Sequence, residues 1–220
     1  MSINEWIMWV SIETSKYMLV IYGVLGFSKA RSKRRYMALF YLLIGIPLVT
    51  YCSWDVLVYT TLWVFVLAVI YFEGTIRDKL RAAVVSYFAV TFADTTIWSI
   101  YINLMKLESH FDAIHVRLIC NLTGLILWLI LSGFLHHKRE KIHTVFTDMS
   151  VKMFLAMMLF LLGTAAMVGV VQFSILDNIT EELRKTAMLC EMFSALVTIL
   201  GWSALTYMVY MKKKLENECQ

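Results

Sequence analysis

Seven apolar stretches, each about the length of a helix crossing a ~30 Å hydrocarbon core, divide this 220-residue chain: about 5–27, 36–53, 56–72, 82–105, 114–135, 151–176 and 186–210. A segment in lipid must satisfy its backbone N–H and C=O groups within a helix or within a closed barrel. No stretch shows the alternation of apolar and polar residues that barrel strands need. The sequence therefore predicts an all-α fold, a polytopic membrane protein built as a seven-helix transmembrane bundle. Composition agrees: 60% of residues are hydrophobic and 16% charged, with one proline and nine glycines, which suits neither a disordered segment nor a soluble domain.

The basic residues predict the orientation. Lys29, Arg31, Lys33, Arg34 and Arg35 follow the first stretch and Arg77, Lys79 and Arg81 the third. Lys138, Arg139, Lys141 and Lys152 follow the fifth, and Lys212, Lys213 and Lys214 the seventh. The alternate connections carry only Lys106, Arg184 and Lys185. This bias places the N-terminus outside and the C-terminus inside a cell membrane. The first stretch does not read as a signal peptide, because no basic residue precedes Lys16 and no small-residue cleavage site follows. It is the weakest span, since Glu13, Thr14, Ser15 and Lys16 interrupt it; were it to lie flat on the inner surface, the other six would keep their orientation.

The net charge of +4 sits in the predicted inner loops and tail, where it suits contact with anionic membrane lipid and not nucleic acid. Cys52, Cys120, Cys190 and Cys219 form no secreted disulfide framework and read as small hydrophobes. No internal repeat is visible. The single proline, Pro47, has no counterpart in another span, which weighs against an inverted-repeat transporter and reads as a kink in span 2. Ala165 and Gly169 in span 6, and Ser194, Thr198 and Gly201 in span 7, recur at helical spacing and offer packing faces, within the bundle or at a dimer seam.

Depth in the membrane then follows from position. Glu13 and Lys16 fall near the middle of span 1 and Asp94 near the centre of span 4, while Arg117, Asn121 and Glu191 fall in the outer parts of spans 5 and 7. A charge at the bilayer centre costs about 2.5–3.5 kcal/mol on insertion scales, so such groups face the bundle interior and pair. Glu13 and Lys16, three apart on one helix, can pair locally. Asp94 requires a partner such as Arg117, Thr96 or Ser99, or a proton of its own. Two readings follow: a polar network that clasps the helices together, or an outward-facing polar cavity that receives a ligand.

Specific chemistries fail on residues. Span 7 has no lysine between Thr186 and Met211, which removes a retinal Schiff base. His115 and Cys120 are five residues apart, roughly 140° around a helix, and do not form a cysteine-peptidase pair. Glu108, His110, Asp112 and His115 in the outer loop match no closed metal site, and His136, His137 and His143 read as a solvated inner loop. With no phosphate-binding glycine loop and no nucleophile elbow, the sequence predicts no catalytic residues, no metal and no cofactor.

Several segments resemble the membrane sensor half of Agr-type receptor histidine kinases, whose catalytic part is a GHKL-class ATPase domain: the acidic first span "INEWIMWVSIETSKYMLVIYG", the basic hairpin "SKARSKRRYMALFYLLIG", the "YFEGTIRDKLRAAVVSYF" junction and the exit "LTYMVYMKKKLENE". The likeness covers essentially the whole chain as a pattern of hydropathy and junctions. It implies a transmembrane sensor bundle over residues 1–211 and a cytoplasmic tail, 212–220, that begins a linker to an output domain this chain lacks. The chain alone would then not be an enzyme. It would detect an extracellular peptide or other small ligand as a homodimer and pass the signal through Met211, Lys212, Lys213 and Lys214. Depth and charge, not the resemblance, select the ligand-sensing or coupling residues: Asp94, Arg117, Asn121 and Glu191, then Glu13 and Lys16. A small transporter with a mid-membrane polar site at Asp94 and a structural or immunity-type membrane protein are the alternatives.

Overall fold

A computed structural model of the chain describes residues 3–28, 36–37, 40–41, 56–105, 114–176 and 181–218. Helix α1 (Ile3–Leu19) runs into a π-helical segment, Val20–Val24. It is followed by α2 (Val56–Tyr71), α3 (Ile76–Met105) and α4 (Ile114–Leu135), which continues through a 3₁₀ turn at His136–Lys138 into α5 (Arg139–Asp148). Helices α6 (Val151–Leu176) and α7 (Glu181–Glu218) complete the order, and the described residues contain no strand. The all-α expectation is met. Most of the expected span 2, with Pro47, lies outside the described residues, as do the basic hairpin from Lys29 to Arg35 and the connection with Glu108, His110 and Asp112.

Among the described residues, Leu118–Asp148 and Met192–Glu216 are helical, long and apolar enough to cross a membrane, and Leu62–Tyr71 and Val151–Gly163 are shorter apolar helices. Large apolar side chains point outward along them: Ile130 is 66% exposed, Phe134 78%, Leu159 69% and Phe193 67%. Soluble monomers rarely expose contiguous apolar surface of this kind.

The helices form two compact units, residues 1–94 with 113–143, and residues 95–112 with 144–220. In the first, α1 packs along α4 and touches α2. The approach is closest where α1 passes into its π-helical segment. A Cβ on Gly23 would fall 1.7 Å from Ser132 Oγ of α4, so only glycine fits there. The segment then ends on Gly26, at φ 74°, with the Phe27 N–H donating back to the Ile21 carbonyl at 3.2 Å, a left-handed helix stop. Gly26 lies against the start of α5, where an added Cβ would be 2.2 Å from the Arg139 carbonyl oxygen. Around this stop the Phe27 ring meets those of His143 and Phe72 edge-on, at centroid separations of 4.7 and 6.2 Å. The Arg139 guanidinium donates to the Tyr22 hydroxyl at 3.1 Å.

The α2–α3 junction explains why α3 starts at Ile76, ahead of the apolar stretch expected from residue 82. Thr75 caps the helix: its Oγ1 accepts the Asp78 backbone N–H at 3.2 Å, and its hydroxyl donates to the Asp78 carboxylate at 2.6 Å. Lys79 reaches back to donate to the Val69 carbonyl at 3.2 Å, near the end of α2, where the helix dipole favours a cation.

In the second unit α6 packs against α7. Gly201 lies under the Phe160 ring, where a Cβ would come within 2.5 Å, and Ser194 and Thr198 on the same stripe are buried. This small-residue stripe of span 7 is thus a packing face within the chain. The side chains of Ala165 and Gly169 lie outside the described residues. Helix α5 departs from the loop expected between spans 5 and 6. Its buried Val145 and Phe146, with Met149 just beyond, extend from Ile142 at the i, i+3, i+4, i+7 spacing of an amphipathic helix.

Gly26→Ala is expected to destabilise the chain by about 1–3 kcal/mol from the left-handed backbone alone, and by more once the Arg139 clash is added. Gly133→Ala, in the last turn of α4 with nothing within 4 Å of the new methyl, should be neutral or stabilising by up to about 1 kcal/mol. Thermal unfolding of the two variants in detergent micelles measures the difference; equal midpoints would contradict the packing of Gly26 on α5.

Candidate functional site

Helix α1 turns its polar residues inward. Val10, Glu13, Tyr17 and Val20 recur at i, i+3, i+7 and i+10 on one buried face, with Thr14 and Lys16 beside them. Thr14 is satisfied within the helix, its hydroxyl donating to the Val10 carbonyl at 2.7 Å. Lys16 cannot be satisfied so locally, and its side chain is fully buried.

Three acceptors surround its ammonium, one from each of three helices. Lys16 Nζ lies 2.7 Å from Glu13 Oε2 on α1, donates to Asn121 Oδ1 on α4 at 2.9 Å, and forms an ion pair with Asp94 Oδ2 on α3. An ammonium has three N–H donors, so Lys16 is saturated. The other Glu13 oxygen accepts the Tyr17 hydroxyl at 3.2 Å. The Tyr17 ring stacks on that of Tyr87 from α3, with centroids 6.5 Å apart and planes 8° from parallel. Asp94 Oδ1 is buried and has no hydrogen-bond partner among the described residues. Cys120, next to Asn121 on α4, is a buried free thiol, whereas the free Cys190 on α7 is exposed.

Four of the six residues singled out in the sequence therefore meet: Glu13, Lys16, Asp94 and Asn121. The local pairing of Glu13 with Lys16 is present, and the described partner of Asp94 is Lys16. The side chains of Arg117, Glu191 and Ser99 lie outside the described residues. Sequence reasoning passed over Tyr17 and Tyr87. Tyr17 carried a usable signal, because it stands four residues from Glu13 and shares its helix face. Tyr87 carried none, because its stacking on Tyr17 exists only once α1 and α3 are packed.

This arrangement has the character of an interhelical clasp. Burying a lone ammonium is costly, whereas a cation with three well-placed acceptors is held strongly and fixes which helix faces meet. The described residues contain no group of three or more histidine, cysteine or acidic side chains able to hold a metal ion.

The residues expected to carry the output, Met211 to Lys214, occupy the final turns of α7. Lys212 and Lys214 are exposed and reach Glu216 and Glu218 at 3.7 Å, one turn on. Lys213 is half-buried and pairs with Asp148 at the end of α5. That pair was not anticipated, because Asp148 reads as a loop residue until α5 forms. Met211 lies half-buried just before them.

No family model, curated protein or solved structure matches this chain.

Removing the cation leaves the buried Glu13, Asp94 and Asn121 acceptors without their shared donor, so Lys16→Met should cost about 3–5 kcal/mol, the usual penalty for breaking a buried ion pair from one side. Asp94→Asn keeps an acceptor for Lys16 and should cost far less. Combining Lys16→Met with Glu13→Gln and Asp94→Leu should recover most of the loss. Unfolding midpoints in detergent test this order, and a Lys16→Met chain as stable as the wild type would contradict the clasp.

Proposed function

We propose that the chain is the membrane-embedded sensor of a receptor histidine kinase: a seven-span bundle in the cell membrane, N-terminus outside and C-terminus inside, that detects an extracellular ligand and signals to a cytoplasmic kinase output. The observation that carries this reading is α7. It is a single helix of 38 residues, about 57 Å long at about 1.5 Å per residue, and thus nearly twice as long as a ~30 Å hydrocarbon core is thick. Its apolar run passes without a break into the charged turns from Lys212 to Glu218, where Lys212–Glu216 and Lys214–Glu218 pairs support the helix. A helix that leaves the membrane unbroken can carry a rotation, tilt or slide from one side to the other. A flexible tail cannot.

The polar clasp suits the input end. A ligand shifts the balance between two packings only to the extent that it prefers one of them. Exchange of a polar contact among Glu13, Lys16, Asp94 and Asn121 gives two such packings, in which α1, α3 and α4 are either clasped or released. The ligand class that agrees with the resemblance is a secreted peptide, bound at the outer ends of the helices by a homodimer. Arg117 and Glu191 are proposed as further coupling residues from their positions on α4 and α7. Output then passes through Met211 to Lys214 as a displacement of α7.

Reconstitution in vesicles with a spin label at Leu215 tests the reading. Small-peptide fractions of the producing cells' own culture medium, added outside, should change the label-to-label distance between two copies, and Asp94→Asn should alter that response while neither chain accumulates solute. Solute accumulation that Asp94→Asn abolishes, with no change in label spacing, would assign a transporter instead.

A further inference from the structure

The clasp contains one cation and two acids. Lys16 is fully buried, Glu13 is 8% exposed, and the two carboxylates share a single ammonium. The other described groups facing the cluster are neutral: Tyr17 on α1, Tyr87 on α3, and Asn121 and Cys120 on α4. Among the described side chains no second cation touches either acid. Arg117 stands one turn from Asn121 on α4 in the sequence, and its side chain lies outside the described residues. With both acids ionised, the cluster would hold a net negative charge inside an apolar bundle, an arrangement that low-dielectric surroundings strongly oppose.

The hydrogen-bond pattern distinguishes the two acids. Both Glu13 oxygens are served, one by Lys16 and one by the Tyr17 hydroxyl. On Asp94 only Oδ2 is served, while Oδ1 is buried without a donor. An ionised oxygen left in that state is the most costly atom in the cluster, and a proton placed on it removes the net charge while leaving every contact of Lys16 intact. We propose that the Glu13–Lys16–Asp94–Asn121 cluster is a binding site for one exchangeable proton, carried on Asp94 Oδ1, with Glu13 remaining the ionised partner of Lys16.

The step is a simple transfer: the O–H bond on Asp94 forms with a proton taken from water and breaks by returning it, and no other group changes charge. Losing the proton leaves the cluster with uncompensated charge and loosens the contact of α1 with α3 and α4. The site thereby couples the packing of these helices to proton exchange. The inference does not depend on the output role of α7, so a chain that fails as a sensor could still bind the proton.

Infrared difference spectroscopy of the whole chain in lipid nanodiscs tests the proposal without any ligand. The wild type at neutral pH should show a protonated-carboxyl C=O band that shifts in heavy water and disappears as pH is raised, and Asp94→Asn should remove that band. The unfolding midpoint of the wild type should fall on the same pH rise, because the proton is bound in the folded chain and absent from an unfolded aspartate at those pH values; Asp94→Asn should lose that part of the slope. A wild-type chain with no such band would overturn the proposal, with a fixed cation such as Arg117 then supplying the balance. So would a band that survives Asp94→Asn. The wild-type measurement decides the matter even if the variant does not fold.

Discussion

The first helical unit depends on the way a single buried ammonium is satisfied. Lys16 cannot reach solvent and needs three acceptors, and its own helix provides one, Glu13. The others come from Asp94 on α3 and Asn121 on α4, so α1, α3 and α4 must present particular faces to one another if the charge is to be buried at all. Apolar packing alone would tolerate many rotations of these helices, because one apolar contact can replace another at little cost. Polar groups in such surroundings confer register, and the cost of misplacing them is large compared with any single apolar contact. The Tyr17–Tyr87 stack follows from the same register and reinforces it.

Two glycines set the geometry at the other end of α1. Gly23 lets the backbone approach Ser132 of α4 more closely than any side chain would allow, and Gly26 stops the helix in a left-handed conformation against Arg139. Gly23 belongs to the π-helical segment, whose widened turn is a common way of accommodating a local change of face within a helix. The start of α5 is thereby seated on the end of α1, through Arg139 with Tyr22 and His143 with Phe27. In the second unit the corresponding contact is Gly201 beneath Phe160, where a ring takes the space a methyl would need. The end of α7 is tied to α5 through Lys213 and Asp148. A solvent-accessible pair of this kind is worth at most about 1 kcal/mol, so it can bias the tail's position without locking it.

Much of the helical class was legible in the chain. Long apolar stretches with few glycines and one proline leave α-helix as the economical solution, and the helices occur where the described residues allow comparison. The charged residues Glu13, Lys16 and Asp94 stood out because they were expensive where they were, and expense in an apolar stretch is visible without coordinates. The i, i+3 spacing of Glu13 and Lys16 announced their pairing, as local helix geometry does. What stayed hidden was non-local. Asp94 had several conceivable partners in the sequence, and its pairing with Lys16, 78 positions away, depends on how α1 and α3 are rotated and how far each is shifted along its axis. Helix α5 was missed for another reason: its charged residues dominate its composition, and its apolar stripe becomes decisive only when there is a surface to cover.

By itself, then, the sequence determined that the chain is helical, that it carries ionisable groups in apolar stretches, and that Glu13 and Lys16 share a helix face. Periodicity and composition are properties of neighbouring residues, and they act before any helix meets another. The tertiary structure alone decided that Lys16 joins three helices, that Asp94 keeps one oxygen buried without a donor, and that the stripe of Ser194, Thr198 and Gly201 is used within the chain. Those outcomes depend on rotation and approach between helices, which residue spacing along one helix does not contain.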